Sequence, residues 1–275
     1  MIKDLTLTPY KLTKTMFTKA LFCVCLLLGF NSLKSQFNST PHILCDTLNR
    51  VYSADFGDIN GDGLLDIVSF SNQDDYIVWF ENLGGGNFSP LKMLSDQVND
   101  VSSVKCYDLD NDGDIDVVAA MSFEGELAWF ENLDGNGLFS TKKIINTNLL
   151  SPTYVMGGDI DDDGDIDLFT TEAGGDKVVV FNNLGGGVFD VKRNVTTQTD
   201  NPIQLSLGDI DGDGDLDAVT ISTGDKELAW TENNGSGLFS NYNLLSSGLS
   251  YPFFSSVADL NTDGHHAVLR VSTLN

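Results

Sequence analysis

The sequence predicts an all-β fold, a β-propeller built from four-stranded blades, and three observations lead to this prediction. Acid-rich loops start at Asp58, Asp108, Asp159, Asp209 and Asp259, at steps of 50, 51, 50 and 50 residues, and such a period is typical of solenoids, propellers and arrays. Between the loops, short runs rich in β-branched and aromatic residues alternate with turn-forming residues, as strands do. The third run of each unit is apolar at successive positions, which indicates a strand covered on both faces.

Each unit contains four predicted strands. In the first unit they cover residues 51–56, 66–71, 76–82 and 88–94, with the acid-rich loop between the first two. Because successive side chains of a strand point to opposite faces, the tryptophans of the third strand are expected to pack between blades rather than to stack on a ligand. The predicted repeats occupy residues 51–95, 101–146, 152–196 and 202–246, and a partial fifth repeat covers residues 252–275.

The repeated loop places oxygen-bearing side chains at positions 1, 3, 5 and 9, and glycine at position 6. Calcium binds roughly six to eight oxygen ligands, and glycine permits the sharp turn that brings them together. We expect the side chains of positions 1, 3, 5 and 9, the backbone carbonyl of position 7 and water to bind Ca²⁺ in each of the four intact loops. Solvated Asp-Gly turns would explain a single copy. However, the four loops hold 19 of the 40 acidic residues, and packed like charges favour a metal. The predicted ligands are Asp58, Asn60, Asp62, Leu64, Asp66, Asp108, Asp110, Asp112, Asp114, Asp116, Asp159, Asp161, Asp163, Asp165, Asp167, Asp209, Asp211, Asp213, Asp215 and Asp217.

Charge is unevenly distributed along the 275 residues, whose formal net charge is −25. Residues 1–35 hold five lysines and one aspartate, so 10 basic and 39 acidic residues remain and give the rest of the chain a net charge of −29. This basic start, an apolar run at 20–30 and a polar segment at 31–35 predict a cleaved signal peptide over 1–35, since a membrane span needs about 20 apolar residues. We expect residues 36–275 to be secreted or at the cell surface, without membrane insertion. The acidic charge argues against a nucleic-acid partner.

The repeat array is incomplete at both ends. Residues 36–45 precede the first loop at the place where later units have their fourth strand, so we expect a lone outer strand there. The last unit keeps predicted strands at 252–257 and 267–272, but its loop ends in His265, His266 and Ala267. A five-bladed ring with an incomplete last blade would fit this pattern. Because the sequence stops within a unit, we expect a truncated copy of a longer array.

The cysteines divide into two pairs. Cys23 and Cys25 lie in the predicted signal peptide, whereas Cys45 lies on the predicted outer strand and Cys106 on an inner strand. A disulfide requires Cα atoms within about 7 Å. The strand assignment therefore predicts that Cys45 and Cys106 are not linked.

The loops and their flanks resemble the FG-GAP or VCBS repeat, the unit of the integrin α-subunit propeller and of many secreted bacterial proteins. The matching segments are 57–68, 158–168 and 208–218, each with glycine before the first aspartate, and the second unit has Tyr107 at that place. The Trp-Phe-Glu-Asn segments at 79–82 and 129–132 are similar to the bacterial form. The resemblance covers about residues 37–264 and implies calcium in a hairpin loop between the first two strands of each blade. It also implies seven blades, whereas this chain has four intact units.

An EF-hand has the same first positions but places a bidentate glutamate at position 12 between two helices. Here position 12 is Ser69, Ala119, Thr170 or Thr220, and the flanking segments are predicted strands. The ligand pattern is therefore shared with EF-hands, while the scaffold is not.

Three functions fit these observations. The first is a secreted calcium-binding propeller that acts as a binding or adhesion module for an unknown protein or glycan ligand. The turns at 72–75, 123–126, 173–176 and 223–226 differ most between units, so we expect specificity there. The second is the scaffold of a secreted polysaccharide-degrading enzyme of the lyase type, although the only histidines, His42, His265 and His266, lie in no catalytic motif. The third is a surface-anchored structural repeat without a specific ligand.

Overall fold

The computed structural model describes residues 3–4, 43–260 and 266–272. Most of the predicted signal peptide, residues 36–42 of the predicted outer strand, and His42 and His265 lie outside the described residues. Residues 43–45 are described and are not in a strand, so the predicted outer strand is not found in that part.

Strands make up nearly all of the regular structure, and the described helix is a single 3-10 turn at Ala173–Gly175. The strands in chain order are β1 (Lys3–Asp4), β2 (Ala54–Gly57), β3 (Asp66–Ser71), β4 (Tyr76–Phe80), β5 (Asn82–Gly84), β6 (Asn87–Phe88), β7 (Lys92–Ser95), β8 (Val101–Tyr107), β9 (Asp116–Met121), β10 (Glu126–Phe130), β11 (Lys143–Asn146), β12 (Pro152–Gly158), β13 (Asp167–Glu172), β14 (Lys177–Phe181), β15 (Arg193–Thr196), β16 (Pro202–Gly208), β17 (Asp217–Ser222), β18 (Glu227–Asn233), β19 (Phe239–Ser246), β20 (Pro252–Ala258) and β21 (Ala267–Ser272).

Four antiparallel four-stranded sheets follow one another along the chain, and each is one blade. Blade 1 contains β2, β3, β4 and β7, blade 2 contains β8 to β11, blade 3 contains β12 to β15, and blade 4 contains β16 to β19. Strands β5 and β6 form a small separate hairpin. A fifth sheet pairs β20 with β21 in antiparallel fashion and places β1 parallel to β21. The prediction of an all-β chain of repeated four-stranded blades is confirmed.

The hydrophobic core lies between consecutive blades. The inner strands β2, β8, β12, β16 and β20 lie side by side in this order. Ala128 and Phe130 of β10 pack towards blade 1, whereas Leu127 and Trp129 pack towards blade 3. The third strand is thus covered on both faces, as its apolar pattern predicts. Trp79 lies in the layer between blades 1 and 2, so its predicted role in inter-blade packing is also confirmed.

The cysteine prediction can be tested on the described residues. Cys45 and Cys106 are both free, which confirms that they are not linked. Burial raises the pKa of the Cys106 thiol well above its ordinary value, because the thiolate would lose its hydration. Among the described residues, no helix has the length and apolar character needed to cross a membrane.

Candidate metal centres

The acid-rich loops connect the first and second strands of each blade, as predicted. In loops 2, 3 and 4, carboxylate oxygens from positions 1, 3 and 9 lie within 4.8 Å of one another. The loop folds back because glycine at position 6 adopts a positive φ, for example +95° at Gly113, which residues with a Cβ resist. The three clusters are Asp108, Asp110 and Asp116, then Asp159, Asp161 and Asp167, and finally Asp209, Asp211 and Asp217.

The aspartate at position 1 organises the backbone of its loop. In loop 2 the N–H groups of Asp112 and Gly113 donate to Asp108 at 3.2 and 3.0 Å. The corresponding groups of loop 3 donate to Asp159 at 3.2 and 3.0 Å. These bonds hold one edge of each position-1 carboxylate against the turn, so they fix the position of its oxygens without help from a bound ligand.

The aspartate at position 9 begins the second strand and is fully buried in all four blades. Asp116 accepts hydrogen bonds from the backbone N–H of Leu109 at 3.0 Å and of Asn132 at 2.8 Å. Burial raises the pKa of Asp116 and Asp167 to about 7 and that of Asp217 to about 6, although the N–H donors act in the opposite direction. This carboxylate therefore ties the loop to the end of the third strand and carries a charge that burial disfavours.

The position-5 carboxylates lie outside the three clusters. The N–H of Asp114 donates to Asp112 at 2.9 Å, and this short-range bond recurs in every intact loop. A carboxylate oxygen that accepts this backbone hydrogen bond is less available to bind a metal ion. The position-5 residues Asp62, Asp112, Asp163 and Asp213, and the position-7 carbonyls of Leu64, Asp114, Asp165 and Asp215, remain predicted ligands.

Loop 1 differs because position 3 is an amide. The side chain of Asn60 accepts a hydrogen bond from the Asp62 N–H at 3.2 Å and donates to Glu81 at 3.3 Å. Asp58 and Asp66 supply the carboxylates at positions 1 and 9. They accept hydrogen bonds from the same backbone N–H groups as their counterparts in loop 2. This loop keeps the backbone arrangement with fewer negative charges.

The position-3 carboxylates of loops 2 and 3 each contain an unpartnered oxygen. Oδ1 of Asp110 and Oδ1 of Asp161 are buried and have no hydrogen-bond partner. Burial and the neighbouring Asp112 raise the pKa of Asp110, and burial and Asp163 do the same for Asp161. Buried polar atoms nearly always have a partner, and an unpaired buried anion is costly. A cation within each cluster would satisfy these oxygens, so the residues present fit a hard divalent ion such as Ca²⁺.

Sequence reasoning missed a fourth group beside each cluster. The residue 21 positions after loop position 3 lies next to that position in every blade. Glu131 interacts with Asp110 and Glu232 with Asp211, while Asn182 donates to Asp161 at 2.8 Å. In blades 1 to 3 a cationic residue follows on the fourth strand, as in the Lys143–Glu131 pair at 2.5 Å. The fixed spacing and the Trp-Phe-Glu-Asn segment were the signals available in the sequence.

Four matches to the family model described as the FG-GAP-like repeat cover residues 58–119, 108–170, 159–220 and 209–269. The chain belongs to the FG-GAP-like repeat family. Successive matches overlap at the loops described above, so the family unit runs from one acid-rich loop to the next. A comparison of this FG-GAP-like repeat chain with curated proteins found no match.

Solved structures similar to the FG-GAP-like repeat chain are propeller-type proteins. A lectin from Agrocybe aegerita that recognises non-reducing terminal N-acetylglucosamine has a TM-score of 0.55 and 21% identity, over 78% of this chain and 58% of that chain. An auxiliary nutrient binding protein from Bacteroides ovatus has a TM-score of 0.51 and 13% identity, over 78% and 55% of the two chains. This chain therefore spans little more than half the length of either protein.

Glycan-active enzymes are also among the structural neighbours. A leech intramolecular trans-sialidase has a TM-score of 0.49 and 11% identity, over 75% of this chain and 34% of that chain. At these identities the likeness to the lectin and to the nutrient binding protein shows the fold alone.

Proposed function

We propose that the FG-GAP-like repeat chain is a calcium-stabilised propeller module that binds a glycan. The unpartnered buried oxygens of Asp110 and Asp161 carry the calcium part of this proposal. Carboxylates at positions 1, 3 and 9 would hold the ion, which would neutralise the cluster. Since position 9 also fixes the third strand, calcium bound there would stabilise three strands of a blade at once. Its role is structural.

The four loops are expected to differ in affinity because they differ in charge. Loop 3 contains six acidic residues, loops 2 and 4 contain five each, and loop 1 contains three. Negative charge on the ligands and beside them raises calcium affinity, and extracellular modules bind with a Kd on the order of 10⁻⁴ to 10⁻³ M. Loop 3 should therefore bind calcium most tightly and loop 1 most weakly.

Calorimetric titration of the chelator-treated protein with CaCl₂ tests the calcium proposal. The expected stoichiometry is about four ions per chain. Asp159→Asn should remove the tightest site and Asp58→Asn the weakest. Absence of any calcium-dependent heat, together with a melting temperature that EGTA leaves unchanged, would contradict the proposal.

A cleft between blades 3 and 4 supports a glycan as the ligand. It has a volume of about 290 Å³ and lies between the outer strands β15 and β19. All of its lining side chains are uncharged, and most carry a hydroxyl or amide group, which suits the hydroxyl groups of a neutral sugar. The residues are Asn194, Val195, Thr196, Thr197, Gln198, Thr231, Phe239, Ser240, Asn241 and Tyr242.

Two further features favour this cleft. The pairing of β18 with β19 has a register shift between Thr231 and Glu232, and Asn241 of β19 has a φ of +33°. Bulges of this kind redirect side chains beside functional sites. In contrast, acidic side chains of the variable turns are already bonded within the fold. Asp75, for example, accepts the N–H of Asp100 at 3.1 Å, and Asp176 accepts that of Asn201 at 2.9 Å. The similarity of the fold to the N-acetylglucosamine-recognising lectin from Agrocybe aegerita and to the nutrient binding protein lends further support.

A glycan array probed with the calcium-loaded chain tests the ligand proposal. Neutral glycans should bind, and Asn194→Ala or Asn241→Ala should lower the binding at least about tenfold, because a polar site that loses a partner discriminates strongly. Asn148→Ala, an exposed asparagine outside the cleft, is the matched control. Binding that both cleft variants retain would place the ligand elsewhere, and binding to no glycan would reject the proposal.

Two hypotheses from the sequence concern export of the protein and an enzymatic function. We propose export to the medium or the cell surface on the basis of the predicted signal peptide, which N-terminal sequencing of secreted protein would test. The lyase-type enzyme remains the alternative, and release of unsaturated products from an acidic polysaccharide by the purified chain would favour it.

A further inference from the structure

Hydrogen bonds connect the acid-rich loop of one blade to that of the next. Asn132 follows the third strand of blade 2, and its backbone N–H donates to Asp116 of the loop in its own blade at 2.8 Å. Its side-chain Nδ2 donates to the carbonyl oxygen of Ile59 at 2.8 Å. Ile59 is position 2 of loop 1, and its own N–H donates to Asp66 at 3.0 Å. One asparagine therefore joins the position-9 aspartates of two blades.

The same connection recurs at the next two blade boundaries. Asn183 donates its N–H to Asp167 at 2.7 Å and its Nδ2 to the carbonyl of Leu109 at 2.7 Å. Asn233 donates its N–H to Asp217 at 2.9 Å and its Nδ2 to the carbonyl of Ile160 at 2.9 Å.

The position-2 residues connect these asparagine bonds to the position-9 aspartate of the preceding blade. The Leu109 N–H donates to Asp116 at 3.0 Å, and the Ile160 N–H donates to Asp167 at 3.1 Å. An unbroken series of hydrogen bonds thus runs from Asp66 in blade 1 to Asp217 in blade 4. The three asparagines are buried, with exposed fractions of 0 to 1%, so water does not compete for these bonds.

We propose that Asn132, Asn183 and Asn233 are positioning residues that couple calcium binding in neighbouring loops. This inference rests on the proposed calcium sites. A carboxylate held by calcium fixes the position-2 residue that donates to it. The carbonyl of that residue then fixes the asparagine of the next blade, whose N–H orients the next position-9 carboxylate. The second loop pays less ordering entropy when it binds calcium, and this produces positive cooperativity.

Asn82 is a matched control within the same chain. Its N–H donates to Asp66 at 2.7 Å, and its Oδ1 accepts the N–H of Gly84 at 3.0 Å, as Asn183 does with Asp167 and Gly185. Its Nδ2, however, donates to Leu65 in the same blade at 2.9 Å. Asn82→Ala and Asn183→Ala remove the same side chain, but only Asn183→Ala removes a bond between blades.

The experiment uses a two-site protein in which Asp58→Asn and Asp209→Asn disable loops 1 and 4. Calorimetry should then detect two calcium ions that bind cooperatively to loops 2 and 3. Asn183→Ala should abolish the cooperativity and weaken binding about tenfold, the usual effect of losing a residue that orients metal ligands. Asn82→Ala should leave both values unchanged.

Amide hydrogen exchange of the metal-free full chain provides a readout that does not depend on calcium. Asn183→Ala should speed exchange in loop 2, across the blade boundary, as well as in loop 3. Asn82→Ala should speed exchange in loop 1 alone. Calcium binding at two independent sites, with exchange in loop 2 unaffected by Asn183→Ala, would overturn the coupling and leave the calcium sites standing. Absence of any calcium binding would instead remove the proposed function on which the coupling rests.

Discussion

Replacing Asp110 by asparagine separates the metal-binding role of a loop from its structural role. Asparagine keeps the shape of the side chain but removes the charge of a carboxylate whose buried Oδ1 has no partner. In the metal-free protein this change should leave the melting temperature unchanged or raise it, because it relieves the repulsion between Asp110 and the nearby Asp112 and Glu131.

In the presence of calcium the same variant should lose stability relative to the original chain. At a free calcium concentration of about 100 times its Kd, one site stabilises the folded state by about 2.7 kcal/mol. For a chain of this size, about 1 kcal/mol corresponds to a shift of roughly 2–4 °C. The calcium-induced rise in melting temperature should therefore shrink by about 5–10 °C.

Differential scanning calorimetry in EGTA and in CaCl₂ measures both effects. Asp96→Asn is the matched control, because it removes the same charge at an exposed position outside the loops, and it should leave the calcium-induced shift intact. An equal loss of stability in both buffers would mean that Asp110 is only a structural residue. An unchanged calcium shift would refute its role as a ligand.

Four further predictions follow from the structure. Asp167→Asn should destabilise the protein in EGTA by about 1–3 kcal/mol in urea unfolding, because it leaves a buried backbone N–H without its acceptor, and by more in calcium, because it also removes a ligand; a loss confined to calcium buffer would contradict this. Calcium affinity should fall as the pH is lowered from 8 to 6, since burial raises the pKa of Asp116 and Asp167 to about 7 and protons compete with the metal. A carboxyl group whose pKa is raised in the folded state stabilises that state at a pH below its ordinary pKa, and this stabilisation is lost as the pH rises through the pKa of the folded state. The metal-free protein should therefore become less stable between pH 5 and pH 8 in urea titrations. In mass spectrometry after brief treatment with iodoacetamide, Cys106 should be alkylated more slowly than Cys45, because burial raises the pKa of the Cys106 thiol; equal rates of labelling would contradict this shift.

The blade architecture could be predicted because each unit repeats signals that act over short distances. The second strand was predicted at 66–71 and is found at Asp66–Ser71. The fourth was predicted as one strand at 88–94 but is divided into β6 (Asn87–Phe88) and β7 (Lys92–Ser95). Pro90 lies between them, and proline cannot donate the backbone hydrogen bond that a continuous strand requires.

The metal centres could be predicted only in part, because the pattern of acidic residues does not show how each one is used. Positions 1, 3 and 9 come together as expected, whereas the position-5 side chain of Asp112 bonds the backbone two residues later. The asparagines at the ends of the third strands were also missed. The bond from Asn132 to Ile59 joins residues 73 positions apart, and that proximity exists only after the blades have packed.

A crystal structure of the protein grown in calcium tests the central claim most directly. The account predicts an ion between the position-1, position-3 and position-9 side chains of Asp108, Asp110 and Asp116, with carboxylate oxygens at about 2.3–2.6 Å from it. Equivalent ions should lie in loops 3 and 4. Clusters that contain only water at saturating calcium, with Oδ1 of Asp110 hydrogen-bonded to protein or solvent, would contradict it.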